Sequence, residues 1–349
     1  MIENWIEHQL RRTEELHNIL QEFESRELKG LIRSNSDANG LKVFCYTQKC
    51  VYERHWDLYT RKARGMVLDR NGKILCRPFE KFFNLGEMEE TQPTALPTMN
   101  FTVDEKLDGS LLSVWYYNGQ WRFTTKGSFA NEQITYAEKI FPSWLLKSMV
   151  PGFTYLWEIV PPPTEDNYHR IVPHEAGAYF LTSFNNDTAL EERTPPFDIE
   201  RDRIFKCPTH QLTIEDCIKM AKDKTDIEGW VIRFDNGFRV KLKTDWYLDL
   251  FRLCKNVNED SIKKQLLAGT FADWVVSVPE EFRKEVQNLA DAITARFTSE
   301  EARLFEIFEA NRDKDRKSFA LSIKNDPNSF ALFNMADGKD YREKLMMRI

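Results

Sequence analysis

Apolar positions recur along this chain with two different periods, and the period changes twice. Over Asn4 to Phe23, Trp5, Ile6, Leu10, Leu16, Ile19 and Leu20 fall near helical spacing, which predicts an opening amphipathic helix. Short runs rich in β-branched and aromatic residues follow: Leu41–Tyr46, Gly65–Leu68, Lys73–Arg77, Phe101–Glu105, Leu111–Tyr117 and Trp121–Thr125. Turn signals such as Arg70-Asn71-Gly72 and Asn118-Gly119 separate them. A helical stretch near Glu132–Met149 interrupts the strands. They resume at Tyr155–Val160, Tyr179–Phe184, Gly229–Phe234 and Phe238–Leu242, the last two joined by Asp235-Asn236-Gly237. Beyond Asp245 only Pro279 and Pro327 break a composition dominated by Leu, Ala, Glu, Lys and Phe, which predicts five or six helices. The pattern therefore predicts an α+β domain over residues 1–245 and a smaller all-helical domain over 246–349. No internal repeat or low-complexity linker divides them.

Composition narrows the class. The chain of 349 residues is 42% hydrophobic and 30% charged, enough for two domains with cores of their own. No apolar run reaches the 18 or more residues that a membrane-spanning helix needs. Met1–Leu20 is charged throughout and lacks the apolar centre of a signal peptide, so a cytoplasmic location without membrane association is expected. Six scattered cysteines include no CxxC pair, and the six histidines do not cluster at ligand spacing. Reduced core thiols are expected, and zinc chemistry is not.

The net charge of −6 argues at first against nucleic acid, but it hides an uneven distribution. From Arg61 to Lys81 seven cations stand against Asp69 and Glu80, so this stretch carries +5 and the remainder −11. A basic patch on an acidic protein suits a phosphate-rich ligand held at one place. A solvated strand face is the competing reading of such a run.

Chemistry centres on Glu105-Lys106-Leu107-Asp108-Gly109-Ser110, where a strand ends and turns. Lysine attacks a phosphoryl group only as the free amine, and an ordinary pKa of about 10.4 leaves almost none free at neutral pH. Neighbouring cations or a divalent metal must therefore destabilise the ammonium form. Gly109 is expected to let the turn backbone approach a nucleotide. Alone, K-x-D-G is weak, since it arises by chance in roughly one chain of this length in fourteen.

Its company strengthens it. Upstream lie Ala63-Arg64-Gly65-Met66-Val67 and Arg77-Pro78-Phe79-Glu80-Lys81-Phe82-Phe83-Asn84. Downstream come Thr125-Lys126-Gly127-Ser128, Leu156-Trp157-Glu158-Ile159-Val160, Glu228-Gly229-Trp230-Val231-Ile232 and Val240-Lys241-Leu242-Lys243. Glu158 and Glu228 sit in or beside apolar strands, where an unpaired carboxylate is expensive. Lys241 and Lys243, two residues apart, project from one face of a strand. One amine, several cations and a few carboxylates are what phosphoryl transfer requires.

In this order the segments resemble the covalent nucleotidyltransferase superfamily of ATP-dependent DNA and RNA ligases and mRNA capping enzymes. They resemble in particular the RNA ligase 1 family of T-even-type phages. The resemblance runs from about Val43 to Tyr247 and reappears at Lys314-Asp315-Arg316-Lys317-Ser318-Phe319-Ala320. It implies a nucleotidyltransferase (ATP-grasp-like ligase) domain of antiparallel sheets with helices, followed by a helical module that selects RNA.

Carried over by position, the resemblance implies that Lys106 is adenylylated by ATP. Tyr46, Arg64 and Lys81 would contact ATP, and Glu158 the ribose, sharing a metal. Glu228 would help place Mg2+ (or Mn2+) through water. Lys241 would contact the α-phosphate and favour the amine form of Lys106, while Lys243 would hold the triphosphate. Ser113, Lys126 and Tyr247 would serve the later steps, and Asp273 would match a metal-binding position, although Ala272 stands where an acidic neighbour is expected.

The implied substrates are single-stranded RNA or broken tRNA ends with a 5′-phosphate and a 3′-hydroxyl. The implied cell compartment is the cytoplasm, that of a host if the chain is phage-encoded. No obligate protein partner is evident, and a monomer is expected. The last lysine motif runs directly into helices rather than into a β-barrel, which favours an RNA ligase over a DNA ligase or capping enzyme. A capping-type guanylyltransferase and a non-catalytic RNA-end-binding protein remain the alternatives. Arg312–Lys317 is a candidate RNA contact, weighed against a solvated helix end.

Overall fold

The computed structural model describes residues 19–162, 172, 174–199, 203–254, 258–275, 278 and 280–349. Contacts divide the chain into two units, Met1–Leu250 and Phe251–Ile349, so the division falls inside helix Asp245–Cys254. Among the described residues the first unit holds three sheets, and the strands named above recur within a residue or two.

The first sheet has the order β1-β2-β3-β4, comprising Ile32–Ser36, Lys42–Tyr46, Arg64–Leu68 and Ile74–Cys76. One of its faces buries Ile32, Phe44, Met66 and Leu68 against Ile19 and Phe23 of helix Ile19–Leu28. The predicted opening helix is observed from Ile19 and runs past Phe23 to Leu28; the part of that prediction before Ile19 lies outside the described residues. The opposite face packs Val43, Val67 and Cys76 against Trp115.

The second sheet runs β11-β10-β9-β7-β8, with β12 beside β10: Glu191–Glu192, Gly177–Asn185, Phe153–Val160, Ser110–Tyr117, Gln120–Thr124 and Ile204–Lys206. Two helices, Glu132–Ile140 and Ser143–Ser148, cover one face and bury Ile134, Phe141 and Leu145 against Leu112, Tyr155 and Trp157. The sequence pattern predicts a single helix here; Pro142 breaks it, because proline lacks the N–H that the preceding turn needs.

The third sheet has the order β13-β6-β14-β15-β5: Thr209–His210, Phe101–Lys106, Gly229–Phe234, Arg239–Lys243 and Phe83–Asn84. Alternation gives it two unlike faces. Val103, Trp230, Ile232, Phe234 and Val240 form an apolar face on helix Ile214–Asp223, whose Cys217 and Ala221 are buried with them. The other face carries the lysines.

In the second unit, helix Glu280–Glu309 presents Val286, Ala290, Ile293, Phe297 and Leu304 as one buried stripe. Helices Glu259–Leu267, Phe271–Trp274, Arg316–Ile323, Ser329–Ala336 and Arg342–Arg348 are its other helices among the described residues. Among the described residues no helix is long and apolar enough to cross a membrane. Cys45, Cys50, Cys76, Cys207 and Cys217 are free and buried.

Candidate active site

Register explains why the lysines meet. Lys106 on β6 lies opposite Gly229 on β14, which lies opposite Lys243 on β15. Residues directly opposite share a face, so the two lysines flank a residue with no side chain. The adjacent row is Asp104, Val231 and Lys241, on the same face. Gly229 has φ +148°, and a Cβ there would stand 2.0 Å from the Leu242 carbonyl oxygen, so only glycine fits. This bend brings the preceding Glu228 carboxylate over the row. Its Oε1 lies 2.8 Å from Lys106 Nζ and 3.2 Å from Lys243 Nζ.

Glu158 comes from β9 in the second sheet. A Cβ at Gly109 would lie 2.8 Å from both the Glu158 Cγ and the Ile159 carbonyl oxygen. Gly109 therefore lets the turn after Lys106 press onto β9, a role different from the nucleotide approach predicted for it. Asp108 accepts from the Tyr247 hydroxyl at 3.3 Å, tying the turn to helix Asp245–Cys254.

Electrostatics differ from the simple expectation for a nucleophilic lysine. Burial disfavours the Lys106 ammonium, but the charges of Glu228 and Glu158 outweigh it and hold its pKa above the usual value. Glu158 moves the other way for a carboxylate: burial pushes it up to about 7, against the opposing effect of Lys106. Glu228 is also penalised by burial, yet Lys106 and Lys243 hold its pKa low. The site thus carries more buried negative charge than its lysines compensate at Glu158, which suits a cationic ligand there.

Arg64 reaches the site from the first sheet. Its charge helps to lower the Glu158 pKa, its guanidinium lies 5.7 Å from the Phe82 ring centroid, and its buried Nη1 has no hydrogen-bond partner. Such an orphaned donor fits a phosphate oxygen. Lys81 is buried in an aromatic cradle, its Nζ 4.1 Å from the Phe83 centroid and 5.4 Å from that of Trp56. Trp56 in turn meets Tyr46 edge-on at 5.0 Å, and Lys126 Nζ stands 3.9 Å from the Tyr46 centroid. Trp56 escaped the sequence reading because it arrives from a loop with no motif spacing around it.

The remaining predicted residues fall elsewhere. Ser113 is buried near the Cys76 thiol, which pairs with the Thr124 hydroxyl at 3.9 Å and which burial pushes up to about 12. It sits two residue pairs from Glu158 along the β7–β9 ladder. Asp273 is exposed in the second unit, and among the described residues no group of three or more His, Cys, Asp or Glu side chains could hold a metal. The basic run from Arg61 to Lys81 does not form one surface. Arg61 pairs with Glu90, buried Lys62 with Glu80 at 2.5 Å, and buried Arg77 donates to the Asn186 carbonyl. The arginines of Arg312–Lys317 are likewise engaged, Arg312 with Glu309 and Arg316 with Asp337.

Residues 62–151, which include Arg64, Lys81, Lys106 and Lys126, match the family model described as RNA ligase, of the T4 type 1 class. Over that segment the chain is similar to this RNA ligase family. A relative in Thermovibrio ammonificans, provisionally named an RNA ligase, is 30% identical over 54% of this chain and 52% of its own length. The chain thus spans about half of that relative. An RNA ligase of Rhodothermus phage RM378 is 23% identical, with 92% of each chain covered. Among solved structures, a provisionally assigned ATP-dependent DNA ligase from Aquifex aeolicus has a TM-score of 0.44 at 13% identity, covering 91% of this chain and 98% of that one. A Naegleria gruberi RNA ligase has a TM-score of 0.32 at 19% identity, covering 43% and 51%.

Proposed function

We propose that this chain is an ATP-dependent RNA ligase that joins 5′-phosphate and 3′-hydroxyl RNA ends, and that residues 1–245 are its adenylyltransferase domain. The observation that carries the reading is the convergence of Lys106, Lys243 and Glu228 on one sheet face, with Glu158 and the orphaned Arg64 Nη1 beside it.

In the first step the Lys106 amine attacks the α-phosphorus of ATP. A P–N bond forms, the α–β phosphoanhydride breaks, and pyrophosphate leaves. The 5′-phosphate of RNA then displaces Lys106, forming RNA-adenylate. Finally the 3′-hydroxyl attacks that phosphate, loses its proton and expels AMP. Lys241 and Lys243 stabilise the charge that builds on the phosphates, and Arg64 and Lys81 hold the nucleotide. Tyr46 contacts ATP beside Lys126. Tyr247 orients Asp108 and the lysine turn, and Lys126 serves the later steps. Ser113 acts through packing behind Glu158.

Glu158 and Glu228 would hold Mg2+ or Mn2+, hard cations that suit carboxylate oxygens, and a cation there would supply positive charge beside the phosphates. Such a cation would neutralise the two carboxylates that keep Lys106 protonated, and so supply the amine. Asp273 is kept as a separate metal candidate of the helical domain, which we assign to RNA selection, with broken tRNA ends among its substrates. Cytoplasmic, monomeric action on RNA repair accords with this reading.

Incubation with α-labelled ATP and, separately, GTP tests it. Covalent label from ATP, followed by sealing of single-stranded RNA and poor sealing of nicked duplex DNA, is expected. Label from GTP alone would instead make the chain a capping-type enzyme, and label from neither would leave an end-binding protein.

A further inference from the structure

Between β2 and β3 the ladder slips by one residue: Phe44 faces Met66, but Cys45 faces Arg64, and Gly65 is the extra residue. Regular pairing would have set Gly65 against Cys45 and turned Arg64 to the other face. Gly65, at φ +103°, makes the bulge possible. The consequence extends to the sheet edge. Cys45 also faces Arg33 on β1, so Arg33, Cys45 and Arg64 form one row across three strands. Two inter-strand steps separate the arginines by about 10 Å between Cα atoms.

The Lys126–Gly127 turn lies across this row. A Cβ on Gly65 would stand 3.3 Å from the Lys126 Cα, and one on Gly127 would stand 3.4 Å from the Cys45 Cβ and 3.7 Å from the Arg33 guanidinium. Asn35, on the same face of β1 as Arg33, donates to the Gly127 carbonyl at 2.5 Å and pins the turn there. The Lys126 backbone thereby lies against β3 next to Arg64 and Gly127 lies against Arg33, while Lys126 Nζ rests over the Tyr46 ring. Arg64 points into the nucleotide site, whereas Arg33 is exposed, and among the described residues no carboxylate pairs with it. An edge strand often carries a charge simply to discourage pairing. That reading explains a cation on β1, but not its alignment with Arg64 and its place against the Lys126 turn.

We propose that Arg33 binds a backbone phosphate of the RNA strand whose 5′-phosphate is being adenylylated, extending the positive charge of Arg64 along the Arg33–Cys45–Arg64 row from the reaction centre to the sheet edge. The proposal rests on the ligase reading. Two strands from Arg64, Arg33 lies outside the set that holds ATP, so it discriminates between steps: formation of lysyl-AMP does not use it, and transfer to RNA does.

The test uses the full chain and its Arg33→Glu, Arg33→Ala and Arg33→Lys variants, each checked for an unchanged melting temperature. Affinity for a fluorescent 5′-phosphorylated single-stranded RNA is measured by anisotropy across a salt series, alongside label uptake from α-labelled ATP and single-turnover sealing. For Arg33→Glu we expect label uptake within about twofold of wild type and sealing down roughly tenfold. RNA affinity is expected to fall with a salt slope shallower by about 0.7, the loss of one single-strand phosphate contact. Arg33→Lys is expected to recover most of the affinity. RNA affinity and salt slope equal to wild type in Arg33→Glu would overturn the proposal, as would a loss of label uptake equal to the loss of sealing. If the wild-type chain takes no label, the ligase reading falls, while the anisotropy series still decides whether Arg33 contacts RNA.

Discussion

The two faces of the third sheet are built from the same strands and serve opposite ends. On one face Val103, Trp230, Ile232, Phe234 and Val240 are excluded from water by helix Ile214–Asp223. On the other, Thr102, Asp104 and Lys106 of β6 stand in register with Arg233, Val231 and Gly229 of β14, and Arg239, Lys241 and Lys243 follow on β15. Charge on that face is balanced by carboxylates from other elements: Glu191 pairs with Arg233 and Arg239, Asp104 with Arg193, and Glu228 with the two end lysines. The apolar face supplies the stability that lets the polar face hold like charges together. At the Lys106 end the balance is left incomplete, since Glu158 remains raised to about 7.

The largest effect is expected where both faces depend on one residue. Gly229→Ala forces a Cβ against the Leu242 carbonyl, so the β14–β15 ladder must separate. Loss of soluble folded protein, or of all covalent label, should follow; a soluble variant that labels normally would break the account of the row. Glu228→Gln addresses the polar face alone. It should slow label formation by about a hundredfold or more with the fold intact by circular dichroism. Because Glu228 helps to raise the Lys106 pKa, the residual rate should level off at lower pH than in wild type.

Ile232→Ala addresses the other face. It should cost about 2–5 kcal/mol in denaturant unfolding while leaving label formation per folded molecule unchanged. Equal loss on both scales would mean that the faces are not separable. The smallest effect concerns stability against pH. Burial lifts Glu158 from an ordinary 4.5 to about 7, so the folded chain holds this proton more tightly and loses that contribution as pH rises through 7. Glu158→Gln removes the buried charge and should raise the melting temperature of the metal-free protein by ~2–4 °C at pH 8, with the gain shrinking toward pH 5. A gain that grows toward acid would contradict the assignment.

Much of this was legible in the sequence. The β-rich runs Gly229–Phe234 and Phe238–Leu242, joined by Asp235-Asn236-Gly237, pointed to two connected strands, and the i, i+2 spacing placed Lys241 and Lys243 on one face. Cross-strand facts were not legible. Strand β1, Ile-Arg-Ser-Asn-Ser, is too polar to announce itself, because an edge strand needs few apolar residues. That Gly229 lies between Lys106 and Lys243, and that the Gly65 bulge rotates Arg64, are matters of register that a single strand's pattern does not contain. The charge run from Arg61 to Lys81 misled for the same reason: burial and pairing consume Lys62, Arg77 and Arg61 before any ligand arrives.

The central claim is that Lys106 is the residue that becomes bonded to the nucleotide. Intact-protein mass spectrometry after incubation with ATP and magnesium, followed by mapping of the modified peptide, tests it most directly. The account predicts one added AMP on the wild-type chain, located at Lys106, reversed by pyrophosphate and absent from Lys106→Ala. An AMP adduct on another residue, or an adduct that persists in Lys106→Ala, would contradict it.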